Sequence, residues 1–116
     1  MTSIQILHNP RCSKSRQTLA LLEEQGIEPE VIKYLDTPPT ETELKNILQK
    51  LGISARDLLR KGEEEYKTLN LADKTLSEDA LVKAMVEHPR LIERPIVINR
   101  DKARVGRPPE SVLDIL

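Results

Sequence analysis

The feature that most constrains the fold is a polar turn, His8 to Arg16, between an apolar segment and an amphipathic one. Residues 3–8 predict a strand, and residues 13–25 predict a helix that Gly26 ends. The turn contains Cys12, the only cysteine in 116 residues. Cys12 therefore falls at a helix N-terminus, where unpaired N–H groups and the helix dipole favour a thiolate and a bound anion.

The alternative interpretation of Cys12 is a buried structural cysteine. Pro10, Arg11, Lys14 and Arg16 make the surrounding turn polar, which favours the reactive interpretation. A single cysteine excludes an internal disulfide. If Cys12 does redox chemistry, the reducing thiol must therefore come from another molecule.

The predicted elements follow the order β-α-β, a helical block, then β-β-α. Residues 30–34 predict the second strand, residues 96–105 a hairpin, and Pro109 the start of a last helix. This order is typical of an α/β, thioredoxin-like fold, with βαβ plus ββα around a mixed sheet. We expect a single domain over residues 1–116, with a helical insertion at about residues 40–88.

Within the insertion, Thr40 to Glu43 form a predicted capping box, and Ser77 is a further predicted helix cap. A short helix is predicted from Ser54 to Arg60. After the insertion, Pro95 lies just before the third strand, and a cis peptide is expected before it.

Composition excludes several classes of function. Lys and Arg total 18 against 19 Asp and Glu, which argues against nucleic-acid binding driven by overall charge. No apolar run has the length of a membrane span, and no signal-peptide core is present. We therefore expect a cytoplasmic protein with no membrane or nucleic-acid partner. Two distant histidines and one cysteine do not make a zinc site, and no phosphate loop is present, so no metal and no bound cofactor are expected.

Three of the nine arginines stand apart by position. Arg60 closes the predicted short helix, Arg94 precedes Pro95, and Arg107 lies in the loop after the hairpin. A guanidinium offers fixed paired donors that match a tetrahedral oxyanion. Several arginines around a thiolate would stabilise it and hold an oxyanion for attack. His8, four residues before Cys12, either packs the loop or supports the thiolate.

These residues resemble the glutaredoxin-coupled arsenate reductase family over the whole chain. The segments that carry the resemblance are His8-Asn-Pro-x-Cys12-x-x-Ser15-Arg16, Tyr34-Leu35 with Pro38-Pro39, Gly52-Ile-Ser, Leu58-Leu59-Arg60-Lys61, Arg94-Pro95-Ile96-Val97, Arg107-Pro108 and Val112 to Leu116. The resemblance implies a thioredoxin-like fold with a helical insertion.

It also implies that Cys12 attacks arsenate to form a covalent thioarsenate. Glutathione and a glutaredoxin then act as reductants, and arsenite leaves. The family's arginine triad falls on Arg60, Arg94 and Arg107, and its histidine falls on His8. The expected partners of a monomer are thus arsenate or a related oxyanion, glutathione and glutaredoxin.

Two departures point to a shorter branch of the family. The chain stops directly after the last predicted helix, and the loop residues Ser13 and Lys14 are more basic than the family's glycine-containing loop. Two alternatives stay open: a thiol-redox protein with another substrate, and a regulator of the transcription machinery. The family's regulators carry Cys-x-x-Cys where this chain has Ser15.

Overall fold

The structure is a computed structural model that describes residues 4–116. The first residue of the predicted strand at 3–8 lies outside the described residues. The chain divides into two compact units. The first combines the residues up to Thr37 with those from Arg94 onward, and the second runs from Pro38 to Glu93. The second unit occupies the place of the predicted insertion, and the expectation of a single domain stays a prediction.

The first unit contains a four-stranded mixed sheet. Its elements are β1 (Ile4–Leu7), α1 (Ser13–Glu24), β2 (Glu30–Ile32), β3 (Ile96–Asn99) and β4 (Lys102–Val105). The strand order is β2-β1-β3-β4. β1 and β2 are parallel, whereas β3 runs antiparallel to both of its neighbours. A βαβ unit followed by a ββα unit predicts this sheet, so the thioredoxin-like fold class is confirmed.

Two elements of this unit differ from their predictions. β2 ends at Ile32 rather than at residue 34, because the Asp36 and Thr37 N–H groups both donate to the Lys33 carbonyl and form a turn. The last helix is a 3-10 helix over Pro109–Ile115 instead of an α-helix. The Ser111 N–H donates to the Pro108 carbonyl at 3.0 Å, which is the i to i+3 spacing of a 3-10 helix.

The core of the first unit joins α1 to one face of the sheet. Ile6 on β1 pairs with Val97 on β3, Leu22 comes from α1, and Val112 from the last 3-10 helix; all four are fully buried. A fully buried aliphatic side chain contributes roughly 1.5–3 kcal/mol relative to an exposed one. This packing holds the C-terminal part of α1 against β1 and β3.

The second unit is mostly helical. Its elements are α2 (Glu41–Leu51), α3 (Ala55–Leu58), α4 (Glu64–Thr68), α5 (Glu78–Glu87) and a 3-10 turn (Pro89–Leu91). α2 begins with the predicted capping box: the Glu43 N–H donates to Thr40 Oγ1 at 3.1 Å, and the Thr40 N–H donates to Glu43 Oε1 at 2.9 Å. Ser77 caps α5 as predicted, because its hydroxyl accepts the Ala80 N–H. In the described part of the chain no helix is long and apolar enough to cross a membrane.

The prediction that the short helix closes at Arg60 is wrong, because that helix, α3, ends at Leu58. Leu59 has an extended backbone and pairs with Ile92 in an antiparallel bridge. The Arg60 N–H then donates to the Leu91 carbonyl at 2.8 Å. The insertion is therefore not helical throughout, and Arg60 is held by a pairing with a segment some thirty residues away in sequence.

The segment before β3 meets the segment after β4 at a buried glycine. The Arg94–Pro95 peptide is cis, as predicted, and the Arg107–Pro108 peptide is cis as well. The Gly106 N–H donates to the Pro95 carbonyl at 2.9 Å. A Cβ atom added to Gly106 would lie 2.5 Å from Thr18 Oγ1 and 2.8 Å from Pro95 Cγ. Only glycine fits at this position without moving α1 or the proline.

We predict that Gly106→Ala lowers the free energy of unfolding by about 1–3 kcal/mol, because the added methyl group overpacks a filled site. Gly62→Ala is the matched control, since a Cβ at Gly62 meets nothing within 4 Å. The control should change stability by less than about 1 kcal/mol. Chemical denaturation measures both values, and equal stability of the two variants would contradict the close approach.

Candidate active site

Cys12 is the N-cap residue of α1, as predicted. Its N–H donates to the Asn9 carbonyl at 3.0 Å, and its carbonyl accepts the Arg16 N–H at 3.0 Å. The side chain is 9% exposed, at the edge of the exposed turn. No acidic residue lies in the first turn of α1, so the positive end of the helix dipole at Cys12 is not offset there.

The Arg107 side chain contacts the sulfur of Cys12. Its Nη2 lies 3.7 Å from Cys12 Sγ, and its Nε donates to the Arg94 carbonyl at 2.9 Å. The guanidinium is planar, so anchoring Nε fixes the direction of the other donors. A cation 95 positions away in sequence is thereby aimed at the cysteine. This contact favours the reactive interpretation of Cys12 over the structural one.

Arg94 takes part in this arrangement through its backbone. It is half-buried, lies directly before the buried Pro95, and its carbonyl anchors Arg107. The pairing of Gly106 with Pro95 continues the β3–β4 ladder toward the loop. The structure therefore brings two of the three predicted arginines to one place beside the start of α1.

Arg60 belongs to the second unit, where it lies among carboxylates. Its Nη1 is 3.4 Å from Glu63 Oε2, and its Nε is 3.6 Å from Glu93 Oε1. Glu63 also pairs with Arg90, whose Nη2 lies 3.2 Å from Glu63 Oε1. The positive charge of Arg60 thus interacts with two carboxylates, Glu63 and Glu93, which the sequence alone does not place beside it.

His8 is buried and packs the loop. Its Nδ1 lies 2.6 Å from the buried Ser15 Oγ, and the Asn9 N–H donates to the same oxygen at 3.0 Å. Ser15 therefore ties the end of β1 to the first turn of α1, with Cys12 between them. Of the two interpretations of His8, this contact supports loop packing. No local sequence pattern predicts this role of Ser15, whose two partners lie six and seven residues before it.

The surroundings of His8 favour a neutral imidazole. Burial holds the pKa of His8 below its ordinary value of 6.5, and the positive charge of Lys33 lowers it further. A neutral ring carries one N–H and one acceptor nitrogen, which suits a hydrogen bond with a hydroxyl group. His8 is therefore suited to hold the loop rather than to add positive charge at neutral pH.

Comparison with known proteins matches this architecture to one family. The model of the ArsC family matches residues 7–115. The chain belongs to the ArsC family. A relative named arsenate reductase from Neisseria meningitidis is 55% identical over the full length of both chains. The Escherichia coli K12 protein YfgD, named as uncharacterised, is 59% identical over 97% of this chain and 96% of its own.

Solved structures of family members share the fold. The structure named arsenate reductase from Vibrio cholerae has a TM-score of 0.97 and 61% sequence identity, covering 99% of this chain and 98% of that one. A structure named putative arsenate reductase from Yersinia pestis has a TM-score of 0.93 and 59% identity, covering 97% of this chain and 100% of that one. The thioredoxin-like fold of the ArsC family is therefore also the fold of this chain.

We predict that acid destabilises the protein partly through His8. Because the folded-state pKa lies below the unfolded value of 6.5, the unfolded chain binds more protons as the pH falls past 6.5. The free energy of unfolding should therefore decrease below that pH, with the loss complete below the folded-state pKa. His8→Asn should flatten this dependence, whereas His88→Asn, at the end of α5, should retain it. Denaturation at a series of pH values measures the slopes, and equal slopes for His8→Asn and the parent would contradict the assignment.

We also predict that Arg107→Ala slows alkylation of Cys12 by iodoacetamide at neutral pH about two- to fivefold. The reagent is uncharged and reacts with the thiolate, which loses a nearby cation in this variant. Arg104→Ala, on the exposed side of β4, is the matched control and should react at the parent rate. A parent-like rate for Arg107→Ala would show that the 3.7 Å contact does not influence the sulfur.

Proposed function

We propose that this chain is an arsenate reductase in which Cys12 is the nucleophile. The observation that carries the proposal is the Arg107 guanidinium 3.7 Å from a cysteine sulfur at a helix N-terminus. Relatives at about 55% identity over the full chain bear the name arsenate reductase. A thiolate, an adjacent guanidinium and a helix N-terminus together suit attack on a tetrahedral oxyanion.

The first step forms a sulfur–arsenic bond. The Cys12 thiolate attacks arsenic(V), and one arsenate oxygen takes up protons and leaves as water. Arg107 and the unpaired N–H groups in the first turn of α1 offset the negative charge of the remaining oxygens. Arsenic remains in the pentavalent state, so this step requires no reductant.

The second stage takes two electrons from external thiols, because this chain has no second cysteine. Glutathione joins the arsenic, and a second oxygen leaves as water. A glutaredoxin thiolate then attacks the glutathione sulfur and forms a glutaredoxin–glutathione mixed disulfide. The bond between the glutathione sulfur and arsenic breaks, and its electron pair stays on arsenic, which becomes arsenic(III). Water releases arsenite and restores the Cys12 thiol. Glutathione and glutaredoxin are therefore the proposed reductants. The enzyme is further proposed to be cytoplasmic and monomeric.

The remaining site residues have supporting roles in this proposal. Arg94 and Arg107 bind the oxyanion, and His8, through Ser15, positions the loop that carries Cys12. The assignment of Arg60 as a third oxyanion-binding arginine rests on its place in the family motif Leu58-Leu59-Arg60-Lys61. Its ion pairs with Glu63 and Glu93 then orient the guanidinium.

We predict that Cys12→Ser abolishes arsenate reduction, with a loss of at least about a thousandfold. The assay supplies arsenate, glutathione, glutaredoxin and a reductase that regenerates glutathione, and follows arsenite and reductant consumption together. Circular dichroism checks that the variant is folded. Arsenite production by Cys12→Ser would overturn the mechanism. A different result would favour a thiol-redox function on another substrate: the parent protein forms no arsenite, but it removes glutathione from a glutathionylated protein without arsenate.

A further inference from the structure

A cavity in the first unit opens beside the loop that carries Cys12. Its volume is about 340 Å³, at the lower end of the roughly 300–1,000 Å³ typical of small-molecule pockets. Residues 8–11 form one wall, and Lys33, Leu35 and Asp36 form the other. These segments follow the parallel strands β1 and β2, and the carboxyl ends of parallel strands are the common ligand edge of α/β sheets.

The walls of the cavity carry a specific set of charges. Arg11 and Lys33 are cationic, Asp36 is anionic, and Leu35, which is 39% exposed, adds apolar surface. His8 lies at the same wall and is neutral at pH 7, because its pKa lies below 6.5. The cavity therefore offers two positive groups, one negative group and one apolar contact to a ligand.

Hydrogen bonds donated by backbone N–H groups hold both walls. The Arg11 N–H donates to Asn9 Oδ1 at 3.0 Å, and the Cys12 N–H donates to the Asn9 carbonyl at 3.0 Å. Opposite, the Asp36 N–H donates to the Lys33 carbonyl at 3.0 Å. The turn that lines the cavity is thus the same turn that places Cys12 at the start of α1. A ligand in the cavity would lie next to the residue that carries the arsenic adduct.

We propose that this cavity binds the anionic peptide thiol that attacks the arsenic adduct, with glutathione as the representative of that class. Glutathione carries two carboxylates and one ammonium group at neutral pH, which complement Arg11, Lys33 and Asp36. This inference rests on the proposed function, because it identifies the binding site of that reaction's first reductant. The peptide part stays in the cavity while its thiol reaches the adduct on Cys12.

The test uses S-methylglutathione, which keeps the charges of glutathione but has no thiol and undergoes no reaction. Titration of ¹⁵N-labelled protein should shift the amide signals of Asn9, Arg11 and Asp36 most. Arg11→Gln and Lys33→Gln should each weaken binding about three- to fivefold, since each removes one partly exposed charge pair, and the double variant about tenfold or more. The matched control combines Arg104→Gln with Lys102→Gln on β4. It removes one arginine and one lysine charge that do not line the cavity, so it should bind S-methylglutathione as tightly as the parent does.

Asp36→Asn gives a second, independent readout. It should weaken S-methylglutathione but strengthen the N-acetyl derivative, which has no ammonium group and is repelled by the carboxylate. Unchanged affinity for S-methylglutathione in the Arg11 and Lys33 double variant would overturn the cavity assignment, and so would amide shifts centred on other residues. Neither result would contradict the proposed arsenate reductase activity, which the arsenite assay tests separately. Binding in the cavity by a protein that forms no arsenite would instead retain the site and refute the proposed function.

Discussion

The hydrogen bonds of Ser15 are the constraint on which the candidate site depends. Its buried hydroxyl contacts His8 Nδ1 and accepts the Asn9 N–H, so the end of β1 and the first turn of α1 are joined directly. A buried hydroxyl without partners would destabilise the fold by about 1–3 kcal/mol, so the two hydrogen bonds offset the burial of Ser15. The core around Leu22 holds the helix, and Ser15 sets the turn that places Cys12 at its N-terminus.

The second constraint comes from the other end of the chain. Gly106 lets the segment after β4 approach Pro95 and Thr18 so closely that no side chain fits between them. That approach places Arg107 where its Nε reaches the Arg94 carbonyl and its Nη2 faces Cys12. Cys12 follows β1 and Arg107 follows β4, so the sheet brings two residues 95 positions apart in sequence into contact.

Local signals in the sequence predicted much of this arrangement. The capping box at Thr40, the helix start at Cys12 and the βαβ and ββα order all depend on neighbouring residues, and all are confirmed. The end of α3 at Leu58 was not predictable in this way, since a pairing of Leu59 with distant Ile92 decides it. The pairing of Arg60 with Glu93 likewise joins segments some thirty residues apart in sequence, and no local pattern predicts it. The His8–Ser15 bond spans seven residues, and it depends on how the whole turn between β1 and α1 folds.

In the proposed mechanism, the Cys12 sulfur forms a bond to arsenic while Arg107 offsets the charge of the oxyanion. X-ray absorption at the arsenic edge tests this directly on protein mixed with arsenate in the absence of any other thiol. We expect a sulfur neighbour of pentavalent arsenic in the parent protein, less of it in Arg107→Ala, and oxygen neighbours alone in Cys12→Ser. Oxygen-only coordination in the parent, or an arsenic–sulfur signal that persists in Cys12→Ser, would contradict the account.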